Sequence, residues 1–523
     1  MKKLSNFLLF IFLIPISIFG QTASVSELDQ NFLNWHSKDL QTDAKVGTGI
    51  NKAYSDFLKG KKAKKTVVVA VIDSGVDIEH KDIKKNIWVN PKEIADNNID
   101  DDNNGYIDDV HGWNFLGNSA GENISSENME CTRILKLKNV KDPNYKKAKL
   151  IYDRELEKAK KESDQVNKYI EVISNCKLII KNYTGVEVSS IDDLAKVNTP
   201  QKDVALAKEY LTQLYSVGLN ENSLKEYKEH NDSYLKYYLN LDFNPRAIVG
   251  DNPTDLNDKN YGNSNVYGPF ANHGTSVAGV IAAIRDNNEG INGVTNDVKI
   301  MVLRAVPNGD ERDKDIALAI MYAVDNGADI INMSFGKAIS PQKEFIDKAI
   351  KYAEEKNVLI VQAAGNDGKN IDVNANFPSK IYNDKTVASN LLLVGASSPQ
   401  LDENIAASFS NYGAQVVDLF APGVNIISLD TNNTYSMSDG TSVASPVAAG
   451  IAALILSYYP DLKPNQLISL LKENSYKVTQ PKKVLTPNET GKKSKIKFSK
   501  LSKSGGIINA YNALLAAEKL NKN

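Results

Sequence analysis

The sequence predicts an α/β fold, a mostly parallel sheet with helices packed on both faces, together with an α-helical insertion. Three observations lead there. Short, nearly unbroken runs of β-branched and aliphatic residues recur along the chain, as strands buried on both faces require. Segments with apolar residues at steps of three and four lie between them, the period of an amphipathic helix. One long stretch, residues 120–245, departs from this alternation and is rich in Lys, Glu, Asn and Tyr.

The first strand is predicted at residues 66–72 (TVVVAVI). Others follow at 299–304 (KIMVLR), 328–332 (ADIIN), 358–363 (VLIVQA) and 391–395 (LLLVG). Helical patterns at 275–284, 314–326, 341–356 and 442–459 alternate with them, which implies a parallel sheet. In such sheets, sites form at the carboxyl ends of the strands. Within 120–245, Tyr145, Ala148, Tyr152, Leu156, Ala159, Val166 and their successors to Ile180 mark one long amphipathic helix. Two further helices are expected at about 204–215 and 224–239. This region reads as a solvated helical insertion; a lid or partner-binding arm is the sharper alternative. The expected division is a signal peptide at 1–20, a short pro-segment or N-terminal extension at 21–65, and the main domain at 66–523 with 120–245 inserted in it.

The 523 residues are 42% apolar and 24% charged, which suits a soluble protein with a large core. A net charge of −2 offers no electrostatic footprint for nucleic acid or an acidic membrane. Met1-Lys2-Lys3, the apolar residues 7–19 and Gly20 have the layout of a secretory signal peptide. The apolar run is short for a membrane span; an uncleaved anchor is the alternative. The expected location is therefore secreted or periplasmic, with no later transmembrane segment and a monomeric chain. Cys131 and Cys176 are too few for a disulfide scaffold, and a bridge between them is not expected.

Candidate chemistry sits at the ends of these elements. The first strand runs into Asp73-Ser74-Gly75, where a partly desolvated carboxylate needs a donor; Asp77 competes for the role. Of five histidines, His36, His80, His111 and His230 lie in polar or loop-like stretches. His273 opens a helix of small residues, NHGTSVAG. A helix start lowers the proton affinity of an imidazole, and a neutral imidazole is what a general base requires. Ser442 stands in SDGTSVASP, after the permissive Gly440 and at a helix start whose N–H groups stabilise negative charge. Pro446 has no N–H, so the Ser442 carbonyl loses its helical partner. A plain capping serine is the competing reading. Asn366, at the end of the strand predicted at 358–363, offers an amide donor to a developing oxyanion, or serves as a turn residue.

The motifs VVVAVIDSGVD, NHGTSVAG, AAGND and DGTSVASP, in that order, resemble those of the subtilisin-like serine peptidases. The resemblance implies that Asp73 orients His273, that His273 takes the proton of Ser442, and that Ser442 attacks a peptide carbonyl. Asn366 and the Ser442 N–H would hold the oxyanion. Loss of that amide donor costs about 2.7–4 kcal/mol, a figure that belongs to subtilisin itself. The stretch Asn332-Met333-Ser334-Phe335-Gly336 resembles the family's substrate-pairing strand. Ser334, Phe335 and Gly336 would line one wall of the primary pocket, and Ala363, Ala364 and Gly365 the other. Residues 504–510 resemble the family's closing segment. Protein or peptide substrates would bind as an added strand, with broad specificity. Two features depart from compact members: about two hundred residues separate Asp73 from His273, and 21–65 is short for a self-chaperoning pro-domain.

Three alternatives are weighed against this one. A lipase-type hydrolase needs Gly-x-Ser-x-Gly and the order Ser, Asp, His; around Ser442 this chain has Ala444 in place of the last glycine, and its order is reversed. A sedolisin-type acid peptidase uses Glu and Asp where this chain has His273 and Asn366. A catalytically inactive scaffold would work through the helical insertion.

One metal site is also expected. Asp100, Asp102 and Asn104 occupy positions one, three and five of an EF-hand-like loop, with Gly105 sixth, Tyr106 seventh and Asp108 ninth. His111 replaces the closing glutamate. Hard oxygen ligands favour calcium, in a structural role and not required for the chemistry; a polar turn is the alternative.

Overall fold

The computed structural model describes residues 23–488 and 494–522. The predicted signal peptide, residues 1–20, lies outside the described residues.

The aliphatic runs form the expected sheet. Its strands are β1 (Val67–Asp73), β2 (Gly112–Asn114), β3 (Val298–Arg304), β4 (Ile330–Met333), β5 (Leu359–Ala363), β6 (Leu391–Ser397) and β7 (Leu419–Pro422). Two short strands, Tyr476–Lys477 and Gly506–Ile507, complete it at one edge. From that edge the order runs Tyr476–Lys477, Gly506–Ile507, β7, β6, β5, β4, β1, β3, β2. Every neighbouring pair is parallel except the first. Asp73 lies opposite Arg304 in the β1–β3 register. Strands β8 (Ile426–Asp430) and β9 (Thr434–Ser438) form a separate antiparallel ribbon.

Successive strand residues face opposite layers, as the pleat demands. Val69 and Val71 join one core with the helix Asn272–Ala282 and the helix Thr441–Tyr458. Ala70 and Ile72 join the other with the helices Asp313–Asp325 and Lys343–Glu355. Helices therefore cover both faces. Among the described residues one helix, Thr441–Tyr458, is long and apolar enough to cross a membrane. All of it except Ser442 is buried among strands and helices of this domain.

Residues 23–65 pack onto the same core. Trp35 is fully buried, and its indole N–H donates to the carbonyls of Val424 and Asn425, at 3.0 Å each. Ile50, Ala53 and Phe57 sit in the first core, and Ala23 bridges Tyr435 of β9.

The insertion is helical. It leaves the domain beyond Ser126, which bridges Asn308, and the returning chain is back against the sheet by Asn263, which bridges Asn114. Its longest helix, Tyr145–Thr184, packs Val166, Ile173 and Ile180 against Leu211, Leu214 and Leu224 of the helices Lys202–Ser216 and Glu221–Ser233. That is a core separate from the two beside the sheet. Cys176 belongs to it and Cys131 to another cluster; both are free and buried.

Where the chain returns, buried charges fasten it to the domain. Arg246 makes a bidentate pair with Asp315, at 2.8 and 3.1 Å, and Lys314 Nζ meets Asp251 at 2.9 Å. Tyr261 also donates to Asp315, at 2.6 Å. Removing one partner of a buried pair strands the other charge without water. Arg246→Ala should therefore destabilise the full chain by about 3–5 kcal/mol, read from the guanidinium midpoint of unfolding.

Candidate active site

The carboxyl rim of the sheet brings the first two candidates together across 200 residues of sequence. Asp73 is the last residue of β1 and is buried. Its Oδ1 accepts from the Ser74 N–H and lies 2.7 Å from His273 Nδ1. Asp73 Oδ2 is buried without a partner. Arg304, fully buried at the end of β3, donates from Nε to the Ser74 carbonyl and so holds the turn after Asp73.

Close approach of the two elements needs glycine. A Cβ at Gly274 would lie 2.1 Å from the Gly75 carbonyl oxygen and 3.2 Å from Asp73 Cβ. Asp77, the competing carboxylate, is occupied elsewhere: its Oδ2 accepts from the Asn432 N–H and its Oδ1 from the Glu79 N–H.

The helix carrying His273 starts three residues earlier than predicted, at Asn272, so the imidazole sits in its first turn. The expectation of a lowered proton affinity is not what the neighbourhood produces. Loss of solvent opposes the imidazolium, but the Asp73 carboxylate and its hydrogen bond outweigh it, and the pKa is raised above 6.5. The side chain remains 47% exposed on its outer side. A charge in hydrogen-bond contact outweighs the partial charge of a helix end.

Ser442 is not a cap. The N-cap of its helix is Gly440, Thr441 is the first helical residue, and Ser442 is the second. The Ser442 carbonyl, which Pro446 cannot serve, accepts instead from Ser334 Oγ at 2.7 Å. Ser334 Oγ accepts in turn from Asn332 Nδ2 at 2.9 Å, and Asn332 Oδ1 accepts from Ser445 Oγ at 2.8 Å. The predicted pocket residue Ser334 thus also ties β4 to the first turn of the Ser442 helix. Among the described residues, no hydrogen bond joins Ser442 to His273.

Asn366 follows β5 and is turned by Thr441. Its Oδ1 accepts from both the N–H and the hydroxyl of Thr441, at 2.9 and 2.8 Å. With the oxygen engaged, Nδ2 is left facing Gly440, where an added Cβ would lie 3.4 Å from it and 2.7 Å from Ser442 Oγ. Thr441 Oγ1 also accepts from the Gly365 N–H at 3.0 Å. Gly365 has φ +100°, and a Cβ there would lie 2.5 Å from Asn411 Nδ2.

Ser334, Phe335 and Gly336 follow β4, and Ala363 ends β5 with Ala364 and Gly365 just beyond it, so the two predicted walls stand at the ends of adjacent strands. Gly336 is exposed and Phe335 half-buried. Sequence reasoning missed Thr441 and Ser445 as positioning groups, although both lie inside the serine motif. It also missed the hydrogen bonding of Asn332, which opens the quoted substrate-strand motif.

The acidic loop gathers differently from an EF-hand. Oxygen atoms of Asp100 and Asp102 lie within 4.8 Å of one another and of Glu93, seven residues ahead of the loop. Glu93 Oε2 is buried without a partner, and among the described residues no ion pair reaches these three carboxylates. That donor set fits a hard cation. Asn104 Oδ1 accepts from the Tyr106 N–H, and the Tyr106 ring packs edge-on to Trp113 and Tyr322 in the core. Asp108 instead accepts from the N–H groups of Asn97 and Asn98. His111 points its Nδ1 to the Trp88 carbonyl, at 2.8 Å. Glu93 lies outside the motif's twelve positions, and loop spacing alone gives no signal for it.

The chain is 40% identical over 225 residues to a thermophilic serine proteinase of Bacillus sp. (strain AK1), covering 42% of this chain and 49% of that protein. It is 37% identical over 207 residues to subtilisin DY of Bacillus licheniformis, covering 39% of this chain and 70% of that protein. The crystal structure of a cold adapted subtilisin-like serine proteinase aligns with 29% identity and a TM-score of 0.36, covering 46% of this chain and 78% of that one. The matched stretch spans about half the length of the first relative. The family model described as the subtilase family matches residues 64–498, well over half of the 523, and the chain belongs to that family.

Proposed function

We propose that this chain is a serine endopeptidase that hydrolyses peptide bonds through an acyl-enzyme formed on Ser442. The observation that carries the reading is the 2.7 Å contact of Asp73 with His273 Nδ1 at the sheet rim. An imidazole whose Nδ1–H is held by a carboxylate presents Nε2 as the proton acceptor. His273 takes the proton of Ser442 as its oxygen attacks the substrate carbonyl. The oxyanion is met by Asn366 Nδ2, oriented through Thr441, and by the Ser442 N–H, one of the unpaired first donors of its helix. His273 returns the proton to the leaving amine, and water then releases the acyl group by the reverse sequence.

Extended protein or peptide substrates lie between Ser334–Gly336 and Ala363–Gly365, held mainly by main-chain bonds, which favours broad specificity. The signal-like residues 1–20 support a secreted or periplasmic location. Residues 23–65 are read as an extension that stays with the domain, on the evidence of the buried Trp35. Glu93, Asp100 and Asp102 would hold a structural calcium remote from the chemistry.

A fluorophosphonate probe should label Ser442, and Ser442→Ala should abolish both labelling and peptide cleavage; a wild-type chain that does not label would be an inactive scaffold. Because His273 must be neutral to act and its pKa is raised, kcat/KM should fall as pH drops, with a midpoint above about 6.5. Asp73→Asn should move that limb to lower pH and reduce kcat by roughly 10⁴. Activity that instead peaks at acid pH would support the sedolisin-type alternative. At calcium a hundredfold above its dissociation constant, stability should rise by about 2.7 kcal/mol. Thermal melts with and without a chelator test this, and Glu93→Gln with Asp100→Asn should remove the difference.

A further inference from the structure

The base of the helical insertion holds the segment that follows Ser334–Gly336. Lys337 is buried, and its backbone exchanges hydrogen bonds with Phe377, at 2.8 and 2.9 Å. Its Nζ lies 2.7 Å from Glu130 Oε2, 2.9 Å from Asp313 Oδ1 and 2.7 Å from the Glu311 carbonyl. Glu130 belongs to the insertion's first helix, Glu130–Lys136, and is itself buried. One helical turn further on, Arg133 pairs with Glu130 and donates to the carbonyls of Asp310 and Glu311. The next two residues of the gripped segment are held as well. Lys147, in the first turn of the helix Tyr145–Thr184, donates to the Ala338 carbonyl at 2.7 Å. Ile339 packs with Cys131, Ile134 and Ala148 of the insertion.

An insertion that served only as a solvated appendage would need no buried cation drawn from the main domain. Here the ammonium sits one residue beyond the proposed substrate wall, and two of its three oxygen partners are carboxylates that cannot relax into water. A shift of Glu130 would leave buried Lys337 with Asp313 as its one remaining carboxylate partner, which favours a strand end that moves with Glu130. From this juxtaposition we propose that the helical insertion is a brace for substrate binding. Glu130 is a positioning residue that, through Lys337, holds Ser334–Gly336 in the register that pairs with an extended peptide. The proposal rests on Ser334–Gly336 being the substrate strand of a serine peptidase. It assigns the insertion a role in recognition of long substrates, separate from the chemistry at Ser442.

The test uses the full chain and two substitutions, Glu130→Gln, which keeps shape but removes the charge, and Lys147→Ala, which frees the Ala338 carbonyl with little loss of buried contact. Each is assayed in two ways: kcat/KM on peptides long enough to span several positions before the cleaved bond, and the labelling rate of Ser442 by a small fluorophosphonate. The brace predicts a fall of about tenfold to a hundredfold on long peptides, mainly in KM, with labelling within about twofold of wild type. Glu130→Asp, which restores the charge, should recover part of the loss. Unchanged peptide kinetics in both variants, or equal losses in peptide cleavage and labelling, would overturn the brace while leaving the peptidase reading intact. A wild-type chain that neither labels nor cleaves would overturn the peptidase reading itself and the brace with it.

Discussion

The helix Thr441–Tyr458 runs through the first core with every residue but Ser442 buried, so water cannot satisfy the polar groups of its first turn. Unmet polar groups in such a place are costly. Pro446 sharpens the demand by withholding the N–H that would serve the Ser442 carbonyl. The protein answers with side chains from neighbouring strand ends: Ser334 for that carbonyl, Asn332 for Ser445, and Asn366 for the Thr441 N–H and hydroxyl. The bonds that satisfy the helix are the same ones that orient the amide of Asn366 and fix Ser334 at the end of β4. Organisation of the site is thus a by-product of burying the helix.

The other half of the site obeys a balance of charge against solvent. Asp73 is buried at a strand end and needs a donor; the imidazole of His273 supplies it, and the raised proton affinity is the consequence. Glycine at position 274 permits the approach, because any side chain there would meet the Gly75 carbonyl. The elements that carry the two groups belong to the packed centre of the domain, where β1 pairs on both edges and the His273 helix packs against it.

Buried charge also joins the insertion to the domain at its entry and its exit. Lys337 with Glu130 lies at one end, and Arg246 with Asp315 at the other. Such pairs add little net stability over apolar packing, yet breaking one is expensive. They therefore favour one arrangement of the arm over others. The distal core around Val166, Ile173 and Leu211 holds the arm's own helices together without help from the sheet.

The long aliphatic runs were legible because a strand buried on both faces must be apolar along its whole length. β1, β3, β5 and β6 fall within a residue or two of where they were expected. Short strands such as β2 and β7 were not legible, since three or four residues carry no period. The helix starts at Asn272 and Thr441 follow Ala271 and Gly440, neither of which bears a capping side chain, and sequence signals placed both slightly late. Glu93 was invisible as a member of the acidic cluster because it lies outside the loop's regular spacing.

The sequence by itself determined the sheet and the helical arm, and it singled out Asp73, His273, Asn366 and Ser442 as candidates, because each stands in a local motif whose residue types limit what it can do. Tertiary structure alone decided how these groups act on one another. The proton affinity of His273, the turn of the Asn366 amide and the grip of Glu130 on Lys337 depend on contacts between residues 75 to 207 positions apart. Electrostatic and hydrogen-bond energies are set by distance in space, which local sequence does not encode.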